Sequence, residues 1–220
     1  MTTLPLQKKQ PLIFLLAFLI MEIPIRIMLQ PDPWLLHSTH WYFLQPMRLL
    51  IEVGLVTTLF SIIWTTERPL LAVPKQHLQL LVLSVFISAG LFSTLEYDQL
   101  IASLQTPLAN ILLWAVTGFC IGLGQECLYR GLLFGALQKS LNIAAARWGT
   151  TVIFILAPLH SERLFEYVVQ GEYVVVMLLV AIYAGVSVFF QYLREKTHSV
   201  IVPGLVHGVG NAITWLAVFA

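Results

Sequence analysis

Charge is scarce in this sequence: only 10% of its 220 residues are Asp, Glu, Lys or Arg, where soluble domains carry roughly 25%. So few charges cannot cover a water-facing surface, which excludes an ordinary soluble globular domain. Lys and Arg together number 12 against 11 Asp and Glu, a net charge of +1. There is no basic field for nucleic acid and no acidic tail. Cysteine is nearly absent as well. Cys120 and Cys127 fall on similar faces of one apolar helix, about 10 Å apart along it, too far to bridge one another, so no disulfide framework is implied. Internal repeats and low-complexity tracts are missing too.

What the chain has in abundance is apolar length. Residues of the hydrophobic set make up 58% of it and the mean hydropathy is +0.84. A bilayer core takes roughly 20 mostly apolar residues per helix. Seven such runs are expected, at about 11–29, 44–64, 78–95, 108–137, 145–161, 173–193 and 200–220. The first continues to Leu29 with no small-residue cleavage site, so it is expected as a retained span rather than a signal peptide. The fold expected is all-α, a polytopic membrane protein of about seven transmembrane helices forming a single domain over residues 1–220. If the spans alternate, Lys8, Lys9, Arg68, Lys75, Lys139, Arg147, Arg194 and Lys196 share one side and Arg163 stands alone on the other. The positive-inside rule then sets the N-terminus in the cytoplasm.

Ionisable groups inside a bilayer are costly, so each is a functional candidate unless neutralised nearby. Glu22 with Arg26, and Arg48 with Glu52, are i,i+4 pairs that neutralise each other on one helix face. A second set is spread over three spans: Gln125, Glu126 and Arg130 on the fourth, His160 at the end of the fifth, His207 and Asn211 on the seventh. Counted at 1.5 Å per residue from the expected cytoplasmic ends, Glu126 lies roughly 16 Å deep, His160 roughly 20 Å and His207 roughly 10 Å. One layer about 10 Å thick holds all three. His207 and Asn211 lie one turn apart on a shared face, and Gly204, Gly208 and Gly210 beside them permit close approach of a helix or substrate. An acid, two histidines and an amide in a dry site suit hydrolysis, with a carboxylate and His to activate water and a His and Asn to hold an oxyanion. The expected site therefore lies among helices 4, 5 and 7. Glu126, His160 and His207 are also the ligand types of a zinc site, but no His-Glu-x-x-His pair reinforces them, and neither metal nor cofactor is expected. A proton path would use similar groups, yet no matched broken helices or repeated halves accompany them.

These residues resemble the motifs of the CPBP intramembrane endopeptidases, the CAAX-protease and bacteriocin-processing (ABI) family. That family carries Glu-Glu-x-x-x-Arg, then Phe-x-x-x-His, then His-x-x-x-Asn or Asp. Here the elements read Gln125-Glu126-Cys127-Leu128-Tyr129-Arg130, Leu156-Ala157-Pro158-Leu159-His160 and His207-Gly208-Val209-Gly210-Asn211. The resemblance covers about residues 108–220. It implies a glutamic-type intramembrane endopeptidase acting on a membrane-protein or lipidated peptide substrate in the lipid bilayer: a prenylated tail, a leader peptide or a sorting helix. It implies that a carboxylate with His160 activates water, that His207 and Asn211 donate to the oxyanion, and that Arg130 supports Glu126. The chain's shortness and cation pattern fit a bacterial inner membrane.

Two positions depart from the pattern. Leu156 stands in place of Phe, an exchange that alters packing. Gln125 stands in place of the first Glu, and an amide cannot accept a proton at neutral pH. Three readings follow: Glu126 acts as base with Gln125 orienting water or substrate, aided by a shift in the helix near Gly122 and Gly124; the chain is an inactive family member serving as a scaffold or binding subunit; or the Gln is a deliberate replacement of Glu.

Overall fold

The computed structural model describes residues 45–219, apart from the side chains of Pro158, Leu159 and Glu162. The first expected span, the Glu22–Arg26 pair, Lys8 and Lys9 lie outside the described residues. The described residues form helices and no strands: α1 (Met47–Thr66), α2 (Leu78–Leu95), α3 (Tyr97–Ser103), α4 (Leu108–Glu126), α5 (Phe134–Ser140), α6 (Ile143–Ile155), α7 (Pro158–Val169), α8 (Tyr173–Thr197) and α9 (Ile201–Phe219). Between α4 and α5 the helix continues without a break as a π-helical segment, Cys127–Leu133. Five helical runs are long and apolar enough to cross a membrane: Met47–Thr66, Lys75–Leu95, Leu108–Ser140, Tyr173–Thr197 and Ile201–Phe219. They correspond to five of the seven expected runs.

The run expected over 145–161 is divided. Helix α6 ends at Ile155 after 13 residues, about 20 Å, short of the roughly 30 Å hydrocarbon core. The break falls where Pro158 forbids a continuous helix: proline lacks the amide proton and disfavours helical backbone in the residue before it. Ala157 is extended (ψ 145°) and Pro158 opens α7, the position where its fixed φ costs nothing. Helix α7 then runs to Val169, past the end of the expected run and into the stretch between it and the run expected at 173.

The described chain forms two compact units, one of residues 45–131 and 193–219, the other of residues 132–192. In the first, α4 is the axis. Helix α1 runs alongside it in the same direction: Gln45 Nε2 donates to Thr117 Oγ1 at 2.9 Å, and Val56 and Ile63 lie against Gly124 and Gly131. Helix α9 runs the opposite way, with Gly204, Gly208 and Asn211 against Leu123, Gly122 and Gly118 in turn. Helix α2 flanks α9, where Ser88 Oγ donates to the Val206 carbonyl at 2.9 Å. The turn from α8 into α9 passes through His198 at φ 52° and is pinned to the α1–α2 connection by Val200 N–H donating to the Leu70 carbonyl at 2.9 Å. Hydroxyls on α1 are hidden by bonding to their own helix: Thr58, Ser61 and Thr66 donate to the carbonyls of Gly54, Thr57 and Ile62, which satisfies them in a medium without water.

In the second unit, Asn142 caps α6 by accepting from the Ala145 amide at 2.8 Å, and Ser187 Oγ on α8 donates to Thr151 Oγ1 on α6 at 3.1 Å.

Candidate active site

Helices α4 and α9 approach so closely that a methyl group does not fit between them. A Cβ on Gly122 would stand 2.7 Å from the Gly208 nitrogen, and one on Gly208 2.9 Å from the Phe119 ring. Small residues four apart on both helices, Gly118 and Gly122 on one and Gly204 and Gly208 on the other, with Gly122 directly against Gly208, let the backbones touch, the usual means by which membrane helices gain packing energy. This contact brings the polar groups together. One step beyond Gly122 on α4 is Glu126; one residue before Gly208 on α9 is His207.

Glu126 has no exposed surface. Its Oε1 accepts from Arg130 Nη1 at 3.1 Å and from His207 Nδ1 at 2.8 Å. Its Oε2 is buried without a hydrogen-bond partner among the described residues. Buried polar atoms are seldom left so, and this one has capacity for a water or a substrate N–H. With Arg130 on the same oxygen the carboxylate is the acceptor, so His207 Nδ1 carries the proton. In the neutral ring the lone pair then lies on Nε2. Arg130 is also fully buried, and the pair neutralises itself within one helix turn.

The π-helical segment begins immediately after Glu126. Such wide turns change the phase of a helix and recur at functional sites; the shift expected near Gly122 and Gly124 occurs one turn later. Inside the segment the Arg130 carbonyl accepts from Arg194 Nε at 3.2 Å. Arg194 is buried, whereas the sequence places it among cytoplasmic cations. Nothing in its local sequence separates it from Lys196, two residues on.

Gln125 and Asn211 are both half-buried. Asn211 lies one turn beyond His207 on α9, its carbonyl opposite Gly118. Glu126, Arg130 and His207 are thus joined in one unit, with Gln125 and Asn211 on the same two helices. His160 belongs to the second unit. Its Nδ1 lies 2.7 Å from the Phe154 carbonyl, which can only accept, so Nδ1 is protonated there. Its ring stacks on Tyr183 at 4.1 Å and meets the edge of Phe154 at 4.7 Å. Neither partner was visible as such in the sequence. Leu156, the residue in the family's Phe position, is 59% exposed; the aromatic contact to His160 comes from Phe154 and Tyr183.

The Arg48–Glu52 pair forms as expected, at 2.8 Å and buried, with the guanidinium over Trp215 at 5.1 Å. Trp215 stacks with Trp114 and Phe219, an aromatic end to the α4–α9 contact.

Residues 105–213 match a family model described as Type II CAAX prenyl endopeptidase Rce1-like. No curated protein and no solved structure matches the chain.

Proposed function

From an integral membrane chain that belongs, over residues 105–213, to the Rce1-like family of type II CAAX prenyl endopeptidases, we propose an endopeptidase that hydrolyses a membrane-anchored peptide within the bilayer. The observation that carries this reading is the fully buried Glu126 carboxylate holding His207 Nδ1 at 2.8 Å. One carboxylate oxygen is occupied by a guanidinium and an imidazole N–H, and the bond to Nδ1 leaves the ring's lone pair on Nε2, the same logic by which an acid fixes a catalytic histidine's tautomer elsewhere. His207 Nε2 therefore takes the proton of the attacking water, Glu126 stabilises the imidazolium formed, and Nε2–H then protonates the departing amine. The Nε2–H formed in that step is committed to the departing amine, so the donors to the oxyanion are assigned to the amides of Asn211 and Gln125. An amide at position 125 is useful in that role and useless as a base. His160, its Nδ1–H held by Phe154, keeps a water-activating role in this proposal on the motif resemblance alone. The single domain, the cytoplasmic N-terminus and a bacterial inner membrane remain parts of this proposal, resting on the run of apolar segments and the cation pattern.

A second reading is supported by Gln125 itself: an inactive family member that grips a partner's membrane helix without cutting it. The deciding experiment reconstitutes the full chain in liposomes with a fluorogenic peptide ending in a prenylated CAAX-type tail. Cleavage by the unaltered chain, abolished in His207→Ala and Glu126→Gln, upholds the dyad. Cleavage only after Gln125→Glu makes position 125 the base and the unaltered chain a binding subunit.

A further inference from the structure

We propose that the outer face of α1 binds one phospholipid with an anionic headgroup. A groove of about 520 Å³ lies there, lined by Val56, Phe60, Ser61, Trp64 and Thr65 of α1 and by Leu71 of the turn that follows, a volume in the range of small-molecule sites. From Val56 to Thr65 it extends about 14 Å along the helix, close to one leaflet of a roughly 30 Å core. Three hydroxyls line it, and two are turned onto their own helix: Ser61 Oγ donates to the Thr57 carbonyl at 2.8 Å, and Thr65 Oγ1 to those of Ser61 and Ile62 at 3.1 and 2.9 Å. The third, on Thr57, is exposed. An acyl chain fits walls that are mostly aromatic and aliphatic.

The headgroup is set by the end of the groove. Arg68 is exposed, and its guanidinium lies over the Trp64 ring, 4.1 Å from its centre, a cation on an aromatic that is itself 53% exposed. Such stacking holds the side chain while leaving its N–H edge for a phosphate. The one neighbouring acid on this connection is Glu67. Exposed Lys75 follows on the same connection, so the site carries net positive charge. A tryptophan and an arginine at one end of a spanning helix mark the membrane interface, and the cation-rich side is the one that faces anionic lipids. An apolar channel one leaflet deep, closed by a cation on a tryptophan, describes a phosphatidylglycerol-type lipid and not a zwitterionic one.

The test is native mass spectrometry of the full chain, purified in detergent from vesicles of equal phosphatidylglycerol and phosphatidylcholine. The expected result is one phosphatidylglycerol retained in preference to phosphatidylcholine, with retention falling about fivefold in Arg68→Gln, the weight of one cation near a membrane surface. Trp64→Ala should lower it as well, while Lys139→Gln, which removes the same charge elsewhere, should leave it unchanged. Equal retention of the two lipids, or an equal loss in Lys139→Gln, overturns the proposal. So does a photocrosslinker at Thr65 that labels residues 11–29 of the same chain instead of lipid, since the groove's occupant would then be the protein itself.

Discussion

Glu126 and His207 stand 2.8 Å apart, joined Oε1 to Nδ1, although 81 residues separate them in the chain. The contact rests on a carboxylate that also neutralises Arg130, so structure and chemistry share one group. Replacing Glu126 by Gln leaves the fully buried Arg130 guanidinium without its counter-charge. Removing one partner of a buried ion pair costs about 3–5 kcal/mol, so thermal unfolding in detergent should show a large drop in midpoint for Glu126→Gln. Gln125→Glu, at a half-buried position, should move the midpoint far less.

Asn211 offers the opposite combination. It is half-buried, and no buried charge depends on it as Arg130 depends on Glu126. Losing one oxyanion donor typically lowers the rate by about 10²–10³. Asn211→Ala in whichever form cleaves the peptide, the unaltered chain or Gln125→Glu, should therefore lose kcat by that factor at nearly unchanged KM and unfolding midpoint. A rise in KM at constant kcat would assign Asn211 to substrate binding.

The helices that hold the candidate site were legible because two physical signals coincide in them. Apolar length marks α4 and α9 as spans, and ionisable residues inside a span stand out against the cost of burying them. The glycines at 204, 208 and 210 announced a close approach, and Gly204 and Gly208 do face α4 while Gly210 faces Phe92 and Ser88 of α2. Hydropathy averages over a window, and so it missed the break at Leu156–Ala157, although Pro158 supplies a local reason for it. The π-helical turn after Glu126 has no composition of its own. Arg194 shows the deeper limit: a cation two residues from Lys196 at a helix end is read as solvated, and only the fold reveals that its N–H meets the Arg130 carbonyl.

That bond gives a prediction. Arg194 Nε donates to a carbonyl inside the π-helical segment, and a hydrogen bond from a charged donor contributes about 1.5–3 kcal/mol. Arg194→Met, which keeps the stem and loses the donor, should lower the unfolding midpoint and loosen the turn that presents Glu126. Hydrogen exchange should rise in peptides covering Cys127–Leu133 in that variant. Arg194→Lys keeps a donor and should restore part of the protection. Unchanged exchange in Arg194→Met would show that the wide turn is held by its own backbone alone.

Gly122 and Gly90 separate the effect of close packing from that of glycine itself. Both lie inside long apolar helices, and alanine stabilises a helix interior by roughly 0.5–1 kcal/mol relative to glycine when nothing else changes. At Gly90 no heavy atom lies within 4 Å of the place a Cβ would take, so Gly90→Ala should be neutral or slightly stabilising. At Gly122 the added carbon would sit 2.7 Å from the Gly208 nitrogen and from the His207 carbonyl carbon. These are backbone atoms, which no rotamer change can move. The α4 and α9 axes must separate, at a typical overpacking cost of about 1–3 kcal/mol, and the separation acts directly on the Glu126–His207 hydrogen bond one turn away. Gly122→Ala should therefore lower the unfolding midpoint and, in a cleaving form, lower kcat by more than the loss of folded protein accounts for. Equal midpoints for Gly122→Ala and Gly90→Ala would mean that α4 and α9 are not in backbone contact, and the geometry of the dyad would fall with that contact.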